Sequence, residues 1–206
     1  MMSGNSFAAH RSIAALLAAA VGLCAFVVAA GNVRAESWGV EQLMRNLGQV
    51  KAAKGKFVER KHLAILEAPL ELSGTLVYTA PGRLEKHTLR PKPESLILDQ
   101  DTLTIDSKTE GQRRTLVLQE YPVIWAFVES IRSTLAGDLQ TLNRFYEVKL
   151  EGNEGRWRLL LKPSAPKMQS VVKEIRIGGS KDWISTIEIL ETEGDRSVMT
   201  VTRDTS

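Results

Sequence analysis

The sequence predicts a mainly β domain (α+β), with about ten or eleven antiparallel strands and two inserted helices. Three observations predict it. Apolar and polar residues alternate with period two in run after run. The breaks between runs are short and carry Pro, Gly, Asp, Gln and Lys. Only two segments beyond the N-terminal region show helical spacing.

The first 35 residues read as an export signal. Arg11 is the one charge ahead of an uncharged run from Ser12 to Val33, and Val33 and Ala35 occupy the −3 and −1 positions of a cleavage site after Ala35. The run is also long enough to span a bilayer, so a retained anchor stays open as the alternative. Cys24 follows Leu23, which is too large for the cleavage position of a lipid-modified protein, and no cysteine occurs after Ala35. Residues 36–206 are read as a single domain in the periplasm. Their 25 basic and 24 acidic residues leave no basic footprint for nucleic acid.

Glu41–Ala53 places Val40, Leu43, Leu47 and Val50 on one helical stripe. "KFVERKHLAIL" then alternates, with Phe57, Leu63 and Ile65 on one parity. In "PLELSGTLVYT", Leu70, Leu72, Leu76 and Tyr78 face one way, and Glu71, Ser73, Thr75 and Thr79 the other. Short strands follow at "RLEKHTL", "SLILD", "TLTID" and "RRTLVLQ", joined by connections that suit hairpins. The second helix opens at Pro122 and stops at Gly137. Its apolar residues Val123, Ile124, Trp125, Phe127, Val128 and Ile131 cover more than one face. Such a helix either completes a packed core or covers a greasy concavity, and the residues alone leave both open. Strands resume at "FYEVKLEG", "RWRLLLKP", "KMQSVVKEIRIGG", "DWISTIEILET" and "RSVMTVT", with "EGNEGRW" and "ETEGDRS" as hairpin turns.

Little of this suggests catalysis. His62 and His87 are the only histidines after Ala35, and no nucleophile elbow, zinc-protease motif, phosphate loop or dinucleotide turn occurs. Glu85 and His87 share a strand face, as an acid–base pair would, but so do ordinary cross-strand polar pairs. The chain is read as a non-enzyme without cofactor or metal. A hydrolase or thioesterase acting on acyl groups is the enzymatic alternative.

Residues 57–106 resemble the LolA family of periplasmic lipoprotein carriers, and the order of elements extends the resemblance loosely over 38–202. The matching features are Phe57 on the first strand, Pro69, Leu70, Gly74 and Leu76 on the second, Tyr78 and Pro81 at the turn, then His87, Pro91 and Asp99. The resemblance implies a single, strongly curved antiparallel sheet forming an incomplete barrel of about eleven strands. Two or three helices would close it around an apolar cavity for the acyl chains of a lipoprotein. It further implies a monomer that receives acylated cargo from an inner-membrane donor and passes it to an outer-membrane acceptor, touching membranes transiently. The expected cavity residues are Leu70, Leu72, Leu76, Tyr78 and Leu84 on strands, with Ile124, Trp125, Phe127 and Val128 on the lid helix. Ala80 and Lys86 stand where the family commonly has a basic and an aromatic residue, and Leu103–Asp106 replaces a Trp/Tyr-rich strand. Lys86, on the parity of Leu84, either meets an anionic headgroup or carries its ammonium to the rim. These departures admit a specialised acyl lipid, or an envelope lipid sensor, in place of a lipoprotein carrier.

Overall fold

The computed structural model describes residues 38–107 and 111–204; the predicted export segment lies outside them. Helix α1 (Val40–Gly48) buries Leu43, Met44 and Leu47. It ends earlier than its stripe suggested, because Ala52 and Ala53 already pair with Thr79 and Tyr78 as the start of a strand. The strands are β1 (Ala52–His62), β2 (Leu70–Thr79), β3 (Arg83–Arg90), β4 (Glu94–Asp99), β5 (Thr102–Ser107) and β6 (Gln112–Val117). After helices α2 (Pro122–Ala136) and α3 (Leu139–Phe145) come β7 (Tyr146–Asn153), β8 (Arg156–Pro163), a short helix α4 (Pro166–Gln169), β9 (Val172–Ser180), β10 (Trp183–Glu191) and β11 (Arg196–Arg203).

All eleven strands form one antiparallel sheet in the order β6-β5-β4-β3-β2-β1-β11-β10-β9-β8-β7. The sheet does not close: β6 and β7 are its two edges, so it is an incomplete barrel. Both edges carry charge, through Arg113 and Arg114 on β6 and Glu147, Lys149 and Glu151 on β7, which discourages pairing with another chain. The predicted hairpin turns are present. Asn153 Oδ1 accepts from the N–H groups of Gly155 and Arg156 at 3.0 and 3.2 Å, and Gly152 and Gly194 take positive φ.

Three segments differ from the sequence expectation. Leu139–Phe145 is a third full helix rather than a lead-in to a strand, capped by Asp138, which accepts from the Thr141 N–H at 2.9 Å and its hydroxyl at 2.6 Å. Pro166–Gln169 turns helically before β9, with Pro166 at the first turn, where a missing N–H does no harm. Strand β1 ends at His62, and Ile65 stands in the connecting loop with 89% of its surface exposed. The edges of α2 follow expectation: Pro122 opens it, and Gly137 (φ 71°) closes it in the left-handed region.

The helices cover the sheet unevenly. Over β7–β9, helix residues Leu43, Leu47, Ala126 and Leu142 pack with Tyr146, Trp157, Leu159, Leu161, Ile175 and Ile177 in a filled core. The Tyr146 hydroxyl fastens α2 to this core by donating to the Ala126 carbonyl at 2.8 Å. A smaller cluster of Leu98, Leu118 and Val128 fixes the other side of α2 to β4.

Gly74 matters for the curvature. It sits where the β2–β3 register shifts, and a Cβ there would lie 1.9 Å from the His87 carbonyl oxygen and 3.0 Å from the Phe57 ring. Gly74→Ala should therefore destabilise the fold by about 2 kcal/mol or more, as a lowered chemical-denaturation midpoint.

Candidate functional site

Alternation places odd-numbered residues of β1 and β11 and even-numbered residues of β2 and β3 on the concave face, as their register shows: Ala53 beside Tyr78, Gly55 beside Leu76, Glu59 beside Met199. Between this face and α2 lies a cavity of about 620 Å³. Its walls are Leu76, Tyr78, Leu84, Leu96, Leu98 and Leu103 from β2–β5, and Ile184, Ile187, Ile189, Met199 and Val201 from β10 and β11. Leu47 and Val50 contribute near the α1 end.

Of the residues expected to line it, Leu70, Leu76, Tyr78, Leu84, Phe127, Val128 and Lys86 do so. Leu72, Ile124 and Trp125 are not among the lining residues. Leu72 has the right parity but sits beside Glu59, whose own side chain lines the cavity there. Ile124 and Trp125 turn to the small cluster over β4. The Trp125 indole donates to Glu129 Oε1 at 3.1 Å, and its ring meets Phe145 edge-on at 5.5 Å. Trp125 thus holds α2 in place. The cavity stripe of α2 is instead Phe127, Ile131 and Leu135 with Val128, residues one turn apart. Ile131 and Leu135 were missed, although the i, i+4 step from Phe127 pointed to them.

The buried carboxylate of Glu129 is fully engaged. It pairs with Arg132, accepts from Ser133 Oγ at 3.1 Å and from Trp125. Arg132 also donates to the Gln100 carbonyl at 2.7 Å, tying α2 to the β4–β5 turn. A charge set this deep is tolerated because each member is hydrogen-bonded.

The cavity wall holds a second buried charge. Glu59, with 5% of its side chain exposed, receives Lys86 Nζ at 2.5 Å and Ser197 Oγ at 2.7 Å, and Lys61 Nζ stands 3.7 Å away. Lys86 reaches Glu59 across the face of Phe57, its ammonium 5.0 Å from the ring centroid. Burial pushes the Glu59 carboxyl up, but Lys86, Ser197 and Lys61 together outweigh it and hold it below the ordinary carboxylate value. Lys86 therefore does not carry its ammonium to the rim.

On the opposite face, His87 Nε2 lies 2.9 Å from Glu85 and Nδ1 3.0 Å from Ser95 Oγ. Hydrogen bonding to His87, then to Arg83, holds the Glu85 carboxyl low against the opposing effect of burial. His87 and Ser95 do not line the cavity, so a molecule held there does not meet the Ser95 hydroxyl. Among the described residues, no group of three or more His, Cys, Asp or Glu is placed to hold a metal, and no helix is long and apolar enough to cross a membrane.

Comparison with protein families matches residues 32–203 to the family described as outer membrane lipoprotein carrier protein LolA-like. The chain belongs to this family. No curated protein matches it. Among solved structures, it is similar to a LolA superfamily protein from Nitrosomonas europaea (9% identity, 81% of this chain and 94% of that one, TM-score 0.39). A putative outer membrane lipoprotein-sorting protein domain from Vibrio parahaemolyticus is also similar (8% identity, 81% and 92%, TM-score 0.42). So is the MucA/MucB complex of Pseudomonas aeruginosa (12% identity, 80% and 56%, TM-score 0.45). At these scores the structural likenesses carry no weight for function; membership rests on the family match. The LolA-like family is a carrier and binding family.

Two outcomes follow. Trp125→Ala should lower stability by about 3 kcal/mol in denaturant unfolding, whereas Phe127→Ala, on the cavity side, should have a smaller effect. Because the Glu59 carboxyl is held below 4.5 in the native state, its ionised form contributes stability above about pH 4.5 that is lost as pH falls through the native value. Stability curves should therefore show Glu59→Gln weaker than wild type at pH 7, with the gap narrowing progressively below about pH 4.5.

Proposed function

We propose that this chain is a non-enzymatic periplasmic carrier that shields the acyl chains of a lipoprotein and ferries it from the inner to the outer membrane. The observation that carries this is the apolar cavity under α2, within the roughly 300–1,000 Å³ typical of ligand sites and walled by aliphatic side chains from six strands. Each acyl methylene moved from water into such a cavity gains about 0.8 kcal/mol, so a chain of a dozen methylenes gains roughly 10 kcal/mol. Holding of that strength needs no catalysis, only a way to open. Helix α2 is fixed by apolar packing on both sides and by the Arg132 and Tyr146 hydrogen bonds, and it roofs the cavity as a lid with Phe127, Ile131 and Leu135. The β1–β2 loop begins with Leu63 in the cavity wall and continues to the fully presented Ile65, a suitable place for transient contact with a bilayer. Donor and acceptor proteins in the two membranes belong to this reading.

A second reading, a carrier of another acyl lipid, is favoured by one observation: Glu59, Lys86 and Lys61 put charge inside the cavity, where acyl chains alone require none.

Native mass spectrometry of the protein isolated from its own periplasm distinguishes the two. A co-purifying acylated protein supports the lipoprotein carrier, and a co-purifying free lipid supports the second reading. Phe127→Ser combined with Ile131→Asn should abolish binding of a fluorescent fatty acid while leaving the circular-dichroism spectrum unchanged. A folded double variant that still binds it would remove α2 from the acyl site.

A further inference from the structure

The cavity is graded along its length. On the concave face of β1 the residues run Ala53, Gly55, Phe57, Glu59, Lys61. The first three are apolar or bare, and the last two are charged. The neighbouring strand repeats the gradient, with Val201 beside Phe57, Met199 beside Glu59 and Ser197 beside Lys61. At the Ala53 end the wall holds Leu47, Val50 and Tyr78, and the two charges there, Lys54 and Asp182, are each paired, with Asp204 and Arg203. At the Lys61 end the wall reaches Leu63 and the start of the β1–β2 loop.

At that second end, two ammonium groups face one carboxylate. Lys86 is bound to Glu59 at 2.5 Å, but Lys61 stands at 3.7 Å, beyond hydrogen-bond length, with 39% of its side chain exposed. A lysine offers three donors, and Lys61 makes no hydrogen bond among the described residues. Arg196 lines the same end but is held by Glu188 at 2.6 Å; Glu191 lines it too and makes no ion pair with the cluster. Within the cluster of Lys61, Lys86 and Glu59 the ammonium groups outnumber the carboxylate by one, and Glu191 stands elsewhere on the same end of the wall without an ion pair to them. If the cluster served stability alone, apolar residues of similar size would do as well.

We propose that the cavity binds an anionic amphiphile lengthwise, its acyl chain toward α1 and α2 and its carboxylate or phosphate headgroup between Lys61 and Lys86. The proposal rests on the reading of the cavity as an acyl-chain site and names its ligand class. Glu59 holds Lys86 in place and, in the empty cavity, competes with the ligand anion for it.

The test compares dodecanoate, dodecyl phosphate and dodecanol, which share one chain length, by calorimetric titration of the delipidated protein at neutral pH. The proposal expects at least one anion to bind about tenfold or more tightly than dodecanol. Lys61→Met, a change at a half-exposed side chain, should bring that ratio close to one. Glu59→Gln should raise it. The stronger of the two anions identifies the headgroup as carboxylate or phosphate. Equal binding of all three compounds by the wild type overturns the headgroup assignment and leaves the acyl site intact. A ratio unmoved by Lys61→Met also overturns it. Binding of none overturns the acyl site itself, and the headgroup assignment with it.

Discussion

A curved antiparallel sheet with an apolar concave face must cover that face or leave it to water, and the helices of this chain cover it in two different ways. Over β7–β9 they interdigitate with the sheet in a filled core. Over β1–β5 the same helix α2 stands off, meeting the sheet at the Leu98 cluster with Leu84 and Leu103 and through the Arg132 link. The cavity is the difference between these two modes of cover. It persists because α2 is anchored on both sides and so cannot collapse onto the open half.

The open edges follow from the same constraint. A closed barrel would need β6 to pair with β7, but the chain between them forms α2 and α3, which occupy the mouth. Charged residues along both edges stop the unpaired backbone from recruiting another strand, which keeps an incomplete barrel soluble without closing it. The arrangement sacrifices ladder hydrogen bonds for a lid that is part of the fold.

Buried polar groups divide into two sets with different standing. Glu129, Arg132, Ser133 and Trp125 are mutually satisfied within α2, and Arg132 carries that set outward to the Gln100 carbonyl. Glu59, Lys86, Lys61 and Ser197 lie on the cavity side and are charge-unbalanced. The first set reads as structure. The second is where this chain departs from a purely greasy container, with Lys86 two residues after Leu84 on the same face of β3.

Period two on β2 was enough to put Leu70, Leu76 and Tyr78 on the cavity side, and Pro122 with Gly137 was enough to bound α2, because both rest on local backbone chemistry. The hairpin turns and the family resemblance were equally legible, and the family match over residues 32–203 agrees with them. Which side of α2 faces the cavity was not. A helix apolar on more than one face has no preferred orientation until something fixes its rotation, here the Arg132 bond to the Gln100 carbonyl and the Tyr146 hydroxyl on the Ala126 carbonyl, which join residues 32 and 20 apart. Glu59 could be read as one more polar residue on a strand. Only the curvature of the sheet brings it to Lys86, 27 residues later, and turns two ordinary surface types into a buried pair. Local periodicity thus determined the elements and their buried faces. Tertiary packing alone decided where the chain would leave space, and what charge it would leave inside.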